Sequence, residues 1–276
     1  MDNKKKRFEK ILKDIKDIKI QGARNIAKAA LNAYFIYPSK ESKEKLISAR
    51  PTEPMLFNVM ERIESQSYKK ILFHFDEAQE KINKFVFELI KNSDVIFTHC
   101  HSTNVINALI YAKKRGKNFQ VYNTETRPLF QGRMTARQLR KAGIKVTMFI
   151  DSALDVAISR ENKKDKIYST KIFLGSDALL NKGIINKIGS GLIAKIAGIE
   201  KVPVYIIADS WKYSSRKIPI EQRSLNEVWK RAPKNIKIRN PTFEFVPKKF
   251  IKKIISEFGI LTYDEFLREV RKNNNS

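Results

Sequence analysis

Two residues of this chain are suited to moving protons, Cys100 and Asp177. Cys100, the only cysteine, closes the apolar run Val95-Ile96-Phe97-Thr98, and Ser102 and Thr103 just after it can cap a helix. A helix N-terminus favours a thiolate and lowers a thiol pKa from about 8.5, and His99 and His101 flank the sulfur. The expectation is a reactive thiolate, with a packed thiol between two hydrogen-bonded histidines as the alternative. Asp177 stands between Ile172-Phe173-Leu174 and Ala178-Leu179-Leu180. Half-burial there raises a carboxyl pKa and suits a general acid, whereas a purely local role would have it cap the turn at Asn181-Lys182-Gly183.

Other positions suit an anion. Gly22 and Ala23 open a helical stretch, where free N–H groups and the helix dipole favour negative charge and small side chains permit close approach. Arg50, Arg127 and Lys187 fall at loop positions and offer charge, arginine in bidentate fashion. Gly189-Ser190-Gly191 is read as lying just inside the helix that carries Lys187. A metal is not expected. One cysteine leaves no disulfide and no Cys-cluster zinc site, and His99, Cys100 and His101, as strand neighbours, point to opposite faces.

At 276 residues the chain is long enough for one large domain or two modest ones. Its 42% hydrophobic and 30% charged residues suit a soluble protein, and no apolar run reaches the about 20 residues of a membrane span. The start, MDNKKKRFEK, is basic but leads into no apolar segment, so a cytoplasmic protein is expected rather than a secreted one. A net charge of +26 raises the question of nucleic acid. The lysines are dispersed along the whole chain, however, with no arginine-rich tail and no RNA-recognition aromatics, so a solvated basic surface is the preferred reading. The same field would draw in a phosphorylated substrate.

The elements that must position these residues fall into two groups. Phe8, Ile11, Leu12, Ile15 and Ile18 share one helical face, and further helices are expected at 23–35, 40–48, 53–65 and 68–91. After Asn92-Ser93-Asp94 the pattern changes to short β-branched and aromatic runs. Strands are expected at 95–99, 119–124, 146–150, 171–175 and 202–208, with helices at 103–115, 134–142, 152–159 and 186–198. The fold class is therefore α/β, a helical N-terminal domain over 1–92 followed over 93–276 by a Rossmann-like, mostly parallel sheet with helices on both faces. Ligands of such sheets lie outside the carboxyl ends of the strands. Those ends are polar here: Thr98-His99-Cys100-His101-Ser102, Thr124-Glu125-Thr126-Arg127, Asp151-Ser152, Gly175-Ser176-Asp177 and Asp209-Ser210. Asn273-Asn274-Asn275 reads as a frayed tail.

Taken in order, five segments carry a family resemblance. They are Thr98-His99-Cys100-His101-Ser102, Thr124-Glu125-Thr126-Arg127-Pro128 with Gln131-Gly132, Gly175-Ser176-Asp177-Ala178, Ile185-Asn186-Lys187-Ile188-Gly189, and Asn240-Pro241 with Phe243 and Pro247. From Ile20 to Gly259 the chain resembles the family of ribose-1,5-bisphosphate isomerase, methylthioribose-1-phosphate isomerase and the alpha, beta and delta subunits of eukaryotic initiation factor two-B. Its isomerases carry both the cysteine and the aspartate, which the regulatory subunits do not need. The ThrGluThrArgPro and GlnGly pattern is typical of the archaeal ribose enzyme.

The resemblance implies an isomerase that converts ribose 1,5-bisphosphate to ribulose 1,5-bisphosphate in archaeal nucleotide salvage, feeding RubisCO from AMP breakdown. A non-catalytic regulatory subunit and a methylthioribose-1-phosphate isomerase are the alternatives. By motif position it implies Cys100 thiolate and protonated Asp177 as base and acid, or the reverse. Gly22, Ala23, Arg50, Arg127, Gln131, Gly132, Asn186 and Lys187 would anchor the phosphorylated sugar, with Lys212 as a further candidate. It implies no metal or organic cofactor, and a homodimer through the sheet domain or a homohexamer. One departure stands out: Gln21-Gly22-Ala23 replaces the family's Arg-Gly-Ala, a guanidinium worth about 1.5–3 kcal/mol of charge-assisted hydrogen bonding. Arg24 is the nearby substitute.

Overall fold

Capping chemistry sets the starts of the N-terminal helices in the computed structural model, which describes residues 3–159, 168–220 and 223–274. The helices are α1 (Asn3–Lys16), α2 (Ala23–Ile36), α3 (Lys40–Ala49), α4 (Pro54–Arg62) and α5 (Tyr68–Leu89). The Ser39 and Ser67 hydroxyls accept the Ser42 and Lys70 amide protons to cap α3 and α5, and Pro54 opens α4 where a missing N–H is harmless. Phe8, Leu12 and Ile15 of α1 pack with Ala27, Ala30 and Leu31 of α2 and with Leu56, Val59 and Met60 of α4. Helix α5 serves two cores. Ile71 and Phe75 belong to this first one, while Ile82 and Val86 pack beneath the sheet.

The rest alternates. In chain order come β1 (Val95–Thr98), α6 (Thr103–Lys114), β2 (Gln120–Thr124), α7 (Gln131–Lys141), β3 (Lys145–Phe149), α8 (Leu154–Ile158), β4 (Lys171–Leu174), β5 (Ala178–Leu180), β6 (Gly183–Lys187), α9 (Ser190–Ile199), β7 (Val204–Ile207), β8 (Phe243–Pro247), β9 (Lys253–Ser256), β10 (Gly259–Leu261) and α10 (Tyr263–Asn274). Seven strands form one sheet in the order β10-β9-β7-β4-β1-β2-β3, all parallel except β10. Alternate residues of each strand enter opposite cores. Phe97, Leu174 and Ile206 meet α8, α9 and α10 through Ile158, Ile193 and Phe266, while Ile96, Phe173 and Ile207 meet α5, α6 and α7 through Val86, Leu109 and Leu139. Burial on both faces explains why these strands read as continuous apolar runs.

The sequence reading needs two corrections. The helix expected at 186–198 begins at Ser190, because 183–187 is strand β6, paired antiparallel with β5 and β8 in a second, three-stranded sheet. Lys187 therefore ends a strand instead of riding on a helix. The β5–β6 connection is the tight hairpin expected at Asn181-Lys182-Gly183. The supposed frayed tail is partly helical, since α10 runs through Asn274 and the Asn273 side-chain amide donates to the Glu269 carbonyl.

Candidate active site

Strand order reverses between β1 and β4: β2 and β3 extend one way and β7 and β9 the other. Such a switch point opens a crevice at the strands' carboxyl ends. Cys100 follows β1 and Asp177 follows β4, so this crevice receives both, and they line one cavity of about 180 Å³. They are close enough for the Asp177 charge to act on the thiol.

Backbone geometry aims the cysteine. Cys100 has φ 65°, which ends β1 abruptly. Its N–H donates to Thr126 Oγ1 at 3.0 Å and its carbonyl accepts from Thr135 Oγ1 at 2.7 Å. Thr126 also has a positive φ, 62°, and is pinned by Asp151, whose two carboxylate oxygens accept the Thr126 and Arg127 amides at 2.8 and 2.6 Å. Burial pushes the thiol from 9.0 up to about 12, against the pull of the Lys187 charge. Burial thus works against the thiolate expected from sequence and towards the packed-thiol alternative. Ser102, not Cys100, is the N-cap of α6, and desolvation outweighs any help from the helix end.

The two histidines have separate duties. His99 is buried, and burial holds its imidazole below the ordinary range, so the ring is neutral. The Ile188 carbonyl 2.8 Å from Nε2 can only accept, which assigns the proton to Nε2 and leaves Nδ1 to accept from the Thr124 hydroxyl at 2.5 Å. His101 Nδ1 lies 3.1 Å from Thr135 Oγ1, whose single proton already goes to the Cys100 carbonyl, so this Nδ1 carries hydrogen and donates. Both rings brace the Cys100 turn.

Most sequence-derived anchors meet in the cavity. Gly22, Ala23, Arg50, Gln131, Asn186, Lys187 and Lys212 all line it. Arg127 and Gly132 do not. The Arg127 guanidinium donates to the Val228 carbonyl at 3.2 Å, and Gly132 is packed so tightly that a Cβ would stand 1.7 Å from the Thr124 carbonyl oxygen. Lys187 is buried, and burial holds its ammonium below the usual range. Lys212 Nζ donates to the Ser176 carbonyl at 2.7 Å, beside Asp177. Gln21 and Arg24 line the cavity, and Arg24 also pairs with Asp76 at 2.5 Å. Sequence reading overlooked Glu53, Arg223 and Thr242, which come from distant segments and join the lining only through the fold.

The cavity is prepared for a polar anion. Neither α2, whose N-cap is Gly22, nor α6, whose N-cap is Ser102, is capped by a side chain, and both helix starts face it. Ser102 Oγ, Gln131 Oε1 and Thr242 Oγ1 are buried in the lining without a hydrogen-bond partner among the described residues, an arrangement that costs free energy until a ligand satisfies it. The nearby start of α9 is already occupied: Glu244 Oε1 accepts from the Gly189 and Gly191 amides at 2.6 and 2.9 Å.

Among the described residues, one group has metal-ligand types close together, His74, Asp209 and Glu257, none of which is in the cavity lining. Its atoms already have partners: Asp209 Oδ1 accepts the Trp211 amide and faces His74 Nε2, and Glu257 accepts from Ser210. No helix of the described residues is long and apolar enough to cross a membrane.

Known proteins share this architecture. A ribose 1,5-bisphosphate isomerase of Methanocaldococcus jannaschii is 37% identical over 295 residues, covering 95% of this chain and 92% of that one. Another, of Archaeoglobus fulgidus, is 31% identical and covers 90% and 87%. The crystal structure of a Pyrococcus horikoshii OT3 translation initiation factor eIF-2B superposes with a TM-score of 0.79 at 26% identity, covering 93% of this chain and 97% of that one. The pattern of the initiation factor 2 subunit family matches residues 17–263, and on that match, with relatives of this identity, the chain belongs to that family.

Proposed function

We propose that this protein isomerises ribose 1,5-bisphosphate to ribulose 1,5-bisphosphate. The observation that carries the reading is the convergence of Cys100 and Asp177 at the switch point, in one cavity faced by two uncapped helix starts and by Lys187, Arg50 and Lys212. Two anion-receptive helix ends fit two phosphates. The isomerase names of the curated relatives support the same class of reaction.

A phosphate on C1 removes the free aldehyde, so the ring must open another way. The protonated Cys100 thiol gives its proton to the ring oxygen as the bond from C1 to that oxygen breaks. The Asp177 carboxylate takes the C2 proton, and the released C–H pair becomes the C1–C2 double bond of an enol phosphate. Asp177 then returns its proton to C1 while the C2 hydroxyl proton passes to the Cys100 thiolate, leaving a C2 ketone and both residues as they began. The high thiol pKa favours this assignment over a thiolate base. The site residues beyond this pair act by binding, with Lys187 and Arg50 supplying charge and Ser102, Gln131 and Thr242 supplying polar contacts.

The test is turnover. Purified protein should form ribulose 1,5-bisphosphate, and Cys100→Ser and Asp177→Asn should each lose about 10²–10⁴-fold in kcat with circular dichroism unchanged. Full activity in either variant would remove that residue from the mechanism.

A further inference from the structure

The 3-10 turn Ser210–Lys212 faces two ways. Its tryptophan points into the N-terminal helices and its lysine into the cavity. Three side chains hold Trp211: His74 stacks on the indole with ring centroids 3.5 Å apart and planes 5° from parallel, the Arg62 guanidinium lies 4.5 Å from the indole centroid, and Phe75 meets it edge-on at 5.7 Å. The backbone is gripped as well. Asn58 Nδ2 donates to the carbonyls of Trp211 and Tyr213 at 2.7 and 2.9 Å, and Asp209 Oδ1 accepts the Trp211 amide at 2.8 Å. One residue on, buried Lys212 reaches the Ser176 carbonyl next to Asp177.

Trp211 is absent from the cavity lining, so it can influence the cavity chiefly through the turn it anchors. We propose that Trp211 is a positioning residue: clamped between His74 and Arg62, it fixes Lys212 against the Ser176-Asp177 corner and ties the seat of the N-terminal helices to the charge presented to an anionic substrate. This rests on the reading of the cavity as the substrate site. A displacement of about 1 Å at a reacting centre can lower rate by about 10²-fold, so the clamp has catalytic leverage without touching the ligand.

The chain has two tryptophans, and Trp229 is exposed, so Trp229→Phe makes Trp211 the sole indole reporter. In that protein, inorganic phosphate is expected to change indole emission saturably, and Lys212→Met is expected to abolish the change while circular dichroism stays constant. Trp211→Ala should lower kcat/KM for ribose 1,5-bisphosphate by about 10²-fold, mostly in kcat, and Trp211→Phe by far less. Asn58→Ala, which frees the turn but leaves the indole in its core, should fall between them and serves if Trp211→Ala does not fold. Saturable phosphate binding by calorimetry with silent emission, or an emission change that persists in Lys212→Met, overturns the proposal. An intact phosphate response in a protein with no isomerase turnover sinks the functional reading and leaves the clamp standing.

Discussion

The Cys100 amide donates to the Thr126 hydroxyl at 3.0 Å, and the two residues share left-handed backbone, φ 65° and 62°, at the ends of neighbouring strands. Each such conformation costs about 1–3 kcal/mol outside glycine and persists only where surrounding bonds over-determine it. Here Asp151 and Thr135 supply them. The strained corner is what turns the thiol into the cavity.

Thr126→Val keeps the shape and removes the acceptor. The Cys100 N–H is then left without this partner, and destabilisation of about 1–3 kcal/mol is expected by urea unfolding, together with a fall in kcat larger than the change in KM. An unchanged kcat would separate the corner from the chemistry.

Thiol alkylation reads the cysteine directly. With its pKa at about 12, Cys100 should react slowly with iodoacetamide at pH 7 and accelerate steadily as pH rises to 10, without a plateau. The folded protein keeps this proton to higher pH than the unfolded chain, so the associated stability is fully present below 9.0 and is lost as pH rises through about 12. Cys100→Ser should flatten that alkaline decline. A rate that levels off near pH 7 would restore the thiolate.

Glu257 gives a second pH signature. Burial, then the Asp209 charge, raises its carboxyl from 4.5 to about 7. The stability tied to its proton is complete below 4.5 and disappears as pH climbs through about 7. Glu257→Gln, which stays neutral, is expected to show a flatter melting temperature from pH 5 to about 8 and a higher one than the parent at the upper end. Parallel curves for the two proteins would refute this.

Gly175 lines the cavity against Ser102. A Cβ there would stand 2.5 Å from Ser102 Oγ and 2.6 Å from its Cβ, inside the lining. Gly175→Ala should raise KM by displacing Ser102 while the melting temperature moves little. Gly132→Ala, which would drive a methyl into the Thr124 backbone, should do the opposite and damage folding first.

The parallel strands were legible because each is buried on both faces and reads as a short apolar run: Val95–Thr98 and Lys171–Leu174 lie within a residue of their expected bounds. Polar strand ends then pointed to Cys100 and Asp177. Strand β6 escaped because Asn186 and Lys187 are polar yet buried, and the apolar periodicity of Ile188 to Ala197 drew the helix forward over them. The β8 and β9 strands lacked local signals that outweigh a scattered basic segment, and their places depend on partners far along the chain. The desolvation that opposes a thiolate at Cys100 was out of reach for a related reason. A motif shows the helix beside a cysteine but not the desolvation around it.

The carboxylate of Glu244 lies across the start of α9 and gives that helix end a counter-ion of its own. By covering that helix start with a covalently attached counter-ion, the protein keeps it distinct from α2 and α6, whose starts face the cavity without a side-chain cap. Replacing Glu244 with alanine would uncover the α9 amides, so this one side chain acts as a tethered competitor that keeps free anions off that helix end.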